Sequence, residues 1–143
     1  MSIMDNKLNS AWWALRIGLG LGPFLAGLDK FSNLLTNWQM YLNPAVERML
    51  PVSGATFMHI VGVIEMIVGL MILTRWTRLG SYVAMIWLVL IALTLVSAGM
   101  FLDVAVRDLL MAIGAYTLAR LTEVRQTVTE TQRGHAPQGA LAR

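Results

Sequence analysis

The sequence predicts an all-α fold, a four-helix transmembrane bundle, from its composition and from four apolar runs. Hydrophobic residues make up 57% of the 143 residues and charged residues 13%, whereas soluble domains carry roughly a quarter charged residues. A helix needs about 17–25 apolar residues to cross the hydrocarbon core. Four runs approach this length, near residues 12–28, 57–73, 80–96 and 101–121. We therefore expect residues 1–121 to form one membrane domain embedded in a lipid bilayer.

The first run begins at a pair of tryptophans and continues into a stretch of glycines. Trp12 and Trp13 stand at the edge of the run, and this position is typical of the headgroup layer, where an amphipathic ring is partly hydrated. Gly18 and Gly22 form a GxxxG motif, which allows the backbone of a neighbouring helix to approach closely. The run therefore predicts a membrane helix that packs through its glycines.

The connection between the first and second runs is long and has a helical pattern of its own. Apolar residues recur at Trp38, Leu42 and Val46 and at positions 49–50, which is the spacing of a short amphipathic helix lying on a membrane face. Pro44 fits the first turn of such a helix. We expect this helix in the first outer connection.

The end of the chain predicts a tight turn, a last span and a polar tail. Residues 97–99 (Ser-Ala-Gly) are expected to form the turn before the fourth run. Its helix is expected to continue past the bilayer into a polar cytoplasmic segment, residues 122–143, and to stop near Gly134 and Pro137. Residues 135–143 are expected to be disordered.

The distribution of basic residues predicts the orientation of the chain. An even number of spans puts both termini and the second connection on one side. The basic residues expected on that side are Lys7, Arg75, Arg78, Arg120, Arg125, Arg133 and Arg143. The opposite side holds Lys30 and Arg48, which Asp29 and Glu47 balance. The positive-inside rule then places both termini in the cytoplasm.

A few charged residues interrupt the apolar runs, and each needs a partner. Glu65 lies in the middle of the second run, Arg16 in the first, and Arg107 with Asp108 in the fourth. A charge in hydrocarbon costs at least a few kcal/mol. At 1.5 Å per residue Glu65 lies about 12 Å and Arg107 about 9 Å from the outer helix ends, which predicts that they pair directly. Arg16 is expected to reach towards Glu65 or to snorkel to the cytoplasmic interface.

Helical spacing predicts which faces meet inside the bundle. The inward faces are expected to be Arg16, Gly20, Pro23 and Gly27 on the first span, Met58, Gly62, Glu65, Gly69 and Ile72 on the second, and Asp103, Arg107, Leu110 and Gly114 on the fourth. A second, shallower polar layer is expected near the outer surface, formed by Asp29, Lys30, His59 and Asp103.

Three roles for this polar network remain open: it fixes helix register, it binds a small ligand or handles a proton, or it contacts a partner subunit. The candidates for a ligand or proton site are Glu65, Arg16, Arg107, Asp108 and His59. We predict no metal site, because His59 and Glu65 lack the i, i+3 or i+4 spacing of two ligands on one helix face. The absence of cysteine excludes a CxxC redox pair. We predict no nucleic-acid binding, since no basic patch with interleaved aromatics occurs.

Three segments resemble the DoxX/DoxD family in the same order. They are ALRIGLGLGPFLAGLDKF with Lys30 and Phe31, VIEMIVGLMIL with Glu65 and Gly69, and VRDLLMAIGAYTLA with Arg107 and Asp108. The resemblance covers most of residues 11–120. It implies a four-helix protein of the inner membrane, and it implies a link to thiosulfate:quinone oxidoreductase or to other membrane oxidoreductase complexes.

Two functions follow as hypotheses. In the first, the protein is an accessory subunit of a quinone- or sulfur-linked redox system, with a quinone or small-anion site built on Arg16, Glu65 and Arg107. The chain has no electron carrier of its own, so oxidoreductase activity would need a partner subunit or a bound cofactor. In the second, the protein is a non-enzymatic scaffold or assembly factor that docks onto a membrane protein partner. A homo-oligomer is compatible with both.

Overall fold

Within the part of the chain that the structure describes, five α-helices form the framework. The computed structural model describes the backbone of residues 3–134 and the side chains of residues 6–131. The helices are α1 (Ile3–Asp29), α2 (Pro44–Met49), α3 (Gly54–Leu73), α4 (Thr77–Ala98) and α5 (Leu102–Gly134), with a 3-10 helix at Trp38–Tyr41. No strand occurs within the described residues, so the predicted all-α class is confirmed. The predicted disordered tail, residues 135–143, lies outside them.

Three of the four long helices are long and apolar enough to cross a membrane. They are Asn6–Asp29 within α1, Gly54–Leu73 (α3) and Thr77–Ala98 (α4), and they indicate a membrane protein. Helix α5 has the length, but its first two turns carry Asp103, Arg107 and Asp108, so its composition does not identify it as a span. The fourth span, 101–121, therefore stays a prediction.

The outer surfaces of all four long helices carry large apolar side chains. Residues that are about half exposed include Leu25 and Leu28 of α1, Ile60 and Ile67 of α3, Ile86 and Leu93 of α4, and Val106, Leu110 and Ile113 of α5. Burying such side chains away from water is favourable by about 1.5–3 kcal/mol each. A lipid environment therefore suits this surface.

The long helices pack as two close pairs, α1 with α3 and α4 with α5, and the pairs contact each other less extensively. Contacts between the pairs lie where α1 begins and α3 turns into α4. There the Trp12 indole donates a hydrogen bond to Thr122 Oγ1 (2.8 Å), and Thr77 Oγ1 donates to the Ile72 carbonyl (2.8 Å). Leu118, fully buried, belongs to the same apolar core. We call this the α1-entry end, and we call the opposite end the connection end.

Glycines set the distance between α1 and α3. A Cβ added to Gly62 would lie 2.6 Å from the Gly27 carbonyl oxygen, and one added to Gly69 would lie 2.6 Å from the Gly20 carbonyl oxygen. Both separations are too short for a side chain, so the two backbones touch directly. The predicted glycine faces therefore form the α1/α3 interface.

The GxxxG motif of the first span is not part of that interface. A Cβ added to Gly18 or Gly22 would meet no atom within 4 Å. The close approach predicted for these two glycines does not occur within the described chain, because Gly20 and Gly27 occupy the face that meets α3.

The buried Asp29 shapes the start of the connection between α1 and α3. Its carboxylate accepts hydrogen bonds from the backbone N–H groups of Leu34 (2.9 Å) and Leu35 (3.0 Å). It also accepts one from the Trp38 indole N–H at 2.8 Å. These bonds satisfy backbone donors in a segment without regular structure, and they hold Trp38 over the connection end.

The predicted short helix of this connection is present as α2, with Pro44 at its start. Asn43 caps the helix, because its side-chain oxygen accepts from the Ala45 N–H at 2.8 Å. The Asn43 amide nitrogen also donates to the Thr94 carbonyl and to Ser97 Oγ, both at 3.1 Å. One side chain therefore starts α2 and ties it to the end of α4. The predicted turn after α4 is also present, with Gly99 in the left-handed region (φ 65°).

Adding a methyl group at the α1/α3 interface should destabilise the protein. Gly62→Ala and Gly69→Ala each place a Cβ against a backbone carbonyl that cannot move without separating the helices, at a cost of about 1–3 kcal/mol. Gly18→Ala is the matched control, and it should be neutral or slightly stabilising because alanine favours a helix over glycine. Thermal unfolding of the purified variants in detergent, followed by circular dichroism, measures the difference. Equal melting temperatures for all three variants would contradict the interface.

Candidate functional site

A cavity of about 640 Å³ lies between the α1/α3 pair and the α4/α5 pair at the connection end. The contacts that join the two pairs at the α1-entry end are replaced here by open space. The walls are mostly apolar, with Val61, Val68, Leu88 and Met111 among their residues, and Tyr41 of the connection also lines the cavity. Apolar walls with few polar groups are typical of a small-molecule site.

The polar centre of this cavity is a buried ion pair between α1 and α3. Lys30 Nζ lies 2.6 Å from Glu65 Oε2, and the two side chains are 4% and 11% exposed. Lys30 Nζ also lies 3.6 Å from the centroid of the Trp38 ring, within the range of a cation–π interaction. The ammonium group is therefore held by a carboxylate on one side and an aromatic face on another.

The predicted pair between Glu65 and Arg107 is wrong, and Lys30 takes the place of Arg107. The contact between Gly27 and Gly62 brings Lys30 close to α3, where its Cβ would be 3.1 Å from a Cβ added to Gly62. Glu65 lies three residues further along α3, which is about 4.5 Å. The four-carbon stem of lysine spans that distance. The prediction compared only how deep Glu65 and Arg107 lie along their helices, so it did not consider the reach of Lys30.

The inward face of α5 differs from the predicted one by one residue. The predicted face of Asp103, Arg107, Leu110 and Gly114 is largely exposed, whereas the buried face is Ala105, Asp108, Ala112, Ala115, Leu118, Ala119 and Thr122. One residue rotates the direction of a helical side chain by about 100°. Asp108 is therefore buried, and the Arg107 side chain is 64% exposed, with its Nε 3.6 Å from Asp108 Oδ1.

Asp108 completes a charged cluster with Lys30 and Glu65. Its charge acts on both groups, and all three residues line the cavity. Arg107 also contributes to the lining and stands beside Asp108 at the exposed edge. Two carboxylates therefore face one ammonium and one guanidinium, so the cluster is close to neutral as a whole. It offers hydrogen-bond donors and acceptors within an apolar space.

Trp87 of α4 adds an indole N–H to the same cavity. Its Nε1 is buried and makes no hydrogen bond of normal geometry within the described part of the chain, and the acceptor towards which it acts as a donor is the Glu65 carboxyl. Sequence reasoning did not identify this residue, because Trp87 lies in an apolar run without charges. The one available indication was that a buried indole N–H usually has a partner.

The predicted shallow polar layer does not form. His59 is exposed on the outer face of α3, where its ring stacks on Phe31 with centroids 4.8 Å apart. Asp103 is exposed. The Asp29 carboxylate accepts hydrogen bonds from the connection between α1 and α3. Lys30 belongs to the deeper cluster. The four residues face different directions, because each lies at a different angle around its helix.

Arg16 lies at the α1-entry end, away from the cavity. Its guanidinium donates to the carbonyl oxygens of Ile72 (3.0 Å), Leu73 (2.7 Å) and Thr74 (2.6 Å). These are carbonyls at the C-terminal end of α3, which have no partner within the helix. Arg16 therefore does not reach Glu65, and its snorkelling to the cytoplasmic interface stays a prediction.

No protein-family model, curated protein or solved structure matches this chain. The resemblance to the DoxX/DoxD family stays a prediction.

Removing either partner of the buried ion pair should strongly destabilise the protein. Glu65→Gln leaves the Lys30 ammonium without its counter-charge, and Lys30→Met leaves the Glu65 carboxylate in the same condition. Each single change should cost about 3–5 kcal/mol of stability, the typical cost of an uncompensated buried charge. The double variant should cost less than the sum of the two, as groups in direct contact do. Denaturant unfolding of all four proteins measures the coupling.

The exposed pair of Arg120 and Glu123 is the control for this cycle. Its atoms are also 2.6 Å apart, but the Arg120 side chain is 59% exposed. The same cycle with Arg120→Gln and Glu123→Gln should give a much smaller coupling, because water screens the pair. Strictly additive losses at Lys30 and Glu65 would show that the two groups do not interact.

Proposed function

We propose that this protein is a small integral inner-membrane protein of the DoxX/DoxD type that binds a quinone-class ligand in its cavity and serves a membrane redox system as an accessory subunit. In this proposal α1, α3, α4 and α5 form a four-helix transmembrane bundle. The α1-entry end, with both termini, faces the cytoplasm. The basic residues that gather at that end support this orientation.

The burial pattern of α5 supports a fourth span. Its outward residues Val106, Leu110 and Ile113 are apolar and exposed. Of its charged residues, Asp108 is turned inwards and Arg107 stands beside it. A charged pair that faces a cavity is the arrangement in which a membrane helix tolerates ionisable residues.

The buried indole N–H of Trp87, which makes no hydrogen bond of normal geometry within the described residues and acts as a donor only towards the Glu65 carboxyl, is the observation that carries the proposed ligand class. A buried donor without a well-formed hydrogen bond is costly, and a ligand carbonyl oxygen in the cavity would accept from it. Lys30 supplies further donors, since an ammonium group has three N–H bonds and Glu65 accepts one of them. The rings of Trp38 and Tyr41 in the lining provide flat apolar surfaces. A ring with carbonyl groups and an apolar tail fits these features.

The carboxylates of Glu65 and Asp108 suit the reduced form of such a ligand. Each can accept a hydrogen bond from a hydroxyl group, and each can hold a proton at a carboxyl oxygen. A bound quinone supplies two-electron, two-proton chemistry, while this chain supplies binding and proton positions. The electrons come from a partner, because cysteine is absent and the chain carries no redox group of its own.

Trp87→Phe should weaken quinone binding without unfolding the protein. The change removes the indole donor and keeps an aromatic ring, so we expect affinity to fall about tenfold, the loss of one hydrogen bond of about 1.4 kcal/mol. The full-length protein in lipid nanodiscs is titrated with a short-chain alkyl benzoquinone by equilibrium dialysis. Trp76→Phe is the control, because Trp76 is half exposed at the α1-entry end. Equal affinity of the Trp87 variant and wild type, or no binding by wild type, would reject the proposal.

A second function, a membrane scaffold, is favoured by the outer face of α1. Gly18 and Gly22 present bare backbone with no atom within 4 Å of an added Cβ, and Gly22 also lines the 640 Å³ cavity. Small residues spaced by four on a lipid-facing helix allow a partner helix to pack closely. In this alternative the chain docks onto a helix of another membrane protein through this face.

Bulky residues on this face should break such an assembly. Gly18→Leu, at the glycine that does not line the 640 Å³ cavity, should shift the protein to a smaller species on native gels of gently solubilised membranes. Thr117→Leu, which adds bulk to an exposed position of α5, should leave the migration unchanged. Identical migration of wild type and the glycine variant would remove the scaffold hypothesis.

A further inference from the structure

A second cavity, of about 360 Å³, lies at the α1-entry end between α1, α5 and the α3–α4 turn. Its lining contains three arginines, Arg16, Arg75 and Arg125, and one carboxylate, Glu130. The cavity is separate from the one that holds Lys30 and Glu65. Its excess of positive charge is not used by the proposed quinone site.

Two of these arginines flank one indole ring. The guanidinium carbon of Arg125 lies 4.1 Å and that of Arg16 4.8 Å from the centroid of Trp12. The two like charges repel each other. Neither they nor Arg75 form an ion pair with a carboxylate within the described residues. A bound anion would reduce this repulsion.

The arginines keep donors that the protein does not use. Arg16 is fixed by three carbonyls through Nε and Nη2, which leaves Nη1 without a partner among the described residues. Arg125 Nη1 donates to Asn9 Oδ1. The other N–H groups of Arg125 have no hydrogen-bond partner among the described residues. Guanidinium groups match the oxygen geometry of phosphate. The hydroxyl protons of Thr77 and Thr122 already point to carbonyls, so the arginines are the donors of this site.

The position of the cavity indicates that the phosphate belongs to a lipid. Trp12 is buried beside the arginines and Trp13 is half exposed, and an exposed tryptophan at the edge of an apolar run is typical of the headgroup layer. Trp13, Ile17 and Trp76 are each about half exposed nearby, and they offer apolar surface on which an acyl chain can lie. Basic pockets between membrane helices are known to hold anionic lipid headgroups.

We propose that the cavity lined by Arg16, Arg75 and Arg125 binds the phosphate of an anionic phospholipid headgroup. The inference depends on the membrane location of the helices and is independent of the quinone site. Arg16 also holds the end of α3, so the test changes Arg75 and Arg125 instead. Both are exposed, and the fold does not depend on an ion pair from either.

The test measures lipid binding by the full-length protein in phosphatidylcholine-containing micelles. Phosphatidylglycerol, phosphatidylcholine and inorganic phosphate are added in separate arms, and bound lipid and melting temperature are recorded by native mass spectrometry and scanning fluorimetry. Wild type should retain phosphatidylglycerol and melt at a higher temperature with it. Arg75→Gln with Arg125→Gln should lower the affinity at least about tenfold, which corresponds to the loss of one charge-assisted hydrogen bond.

Arg78→Gln with Arg120→Gln is the matched control. It removes the same net charge, and both side chains are more than half exposed and pair with Glu123. This control should bind phosphatidylglycerol as wild type does. An equal loss in both double variants would overturn the site, because only net charge would then matter. Equal stabilisation by phosphatidylcholine, or by inorganic phosphate alone, would overturn the anionic lipid assignment.

Discussion

Direct backbone contact between α1 and α3 is the constraint on which the polar interior depends. Four glycines permit this contact, and the pairing of Gly27 with Gly62 places Lys30 about one turn above Glu65. Any side chain at these positions would separate the helices and move the ammonium away from the carboxylate. Once the pair is in place, α4 and α5 complete the cavity by adding Trp87 and Asp108. A packing feature therefore determines where the charges lie.

The two ends of the molecule use charge in different ways. At the connection end Lys30 and Glu65 are buried and paired, and the aromatic ring of Trp38 covers the ammonium. At the α1-entry end Arg16 and Arg125 share one indole and have no carboxylate partner within the described residues. The first arrangement suits a neutral ligand with polar atoms, and the second suits an anion. Both follow from the cost of desolvating charge.

The sequence predicted the helical class, the turn at Gly99 and four spans, of which three are helices long and apolar enough to cross a membrane, because composition and local backbone preference determine these features. It also identified the buried face of α3, since glycines and Glu65 recur at helical spacing. It misassigned α5, because Arg107 and Asp108 are adjacent and either face of the helix would carry one charge. It did not identify Lys30 as the partner of Glu65. The prediction compared the depths of helix positions, whereas a long lysine side chain can reach a carboxylate at a different depth. The position of Trp87 in the cavity lining could be recognised only from the structure.

A distance measurement in the intact protein tests the central pair most directly. Lys7 and Lys30 are the only lysines of the chain, so ¹⁵N labelling of lysine side chains is nearly site-specific. Solid-state NMR in lipid bilayers then measures dipolar coupling from Lys Nζ and from Arg guanidinium nitrogens to ¹³C-labelled Glu65 Cδ. A strong coupling to Lys30, as the 2.6 Å separation of Nζ and Oε2 requires, is the predicted result. Coupling of Glu65 to Arg107 with none to Lys30 would contradict the account.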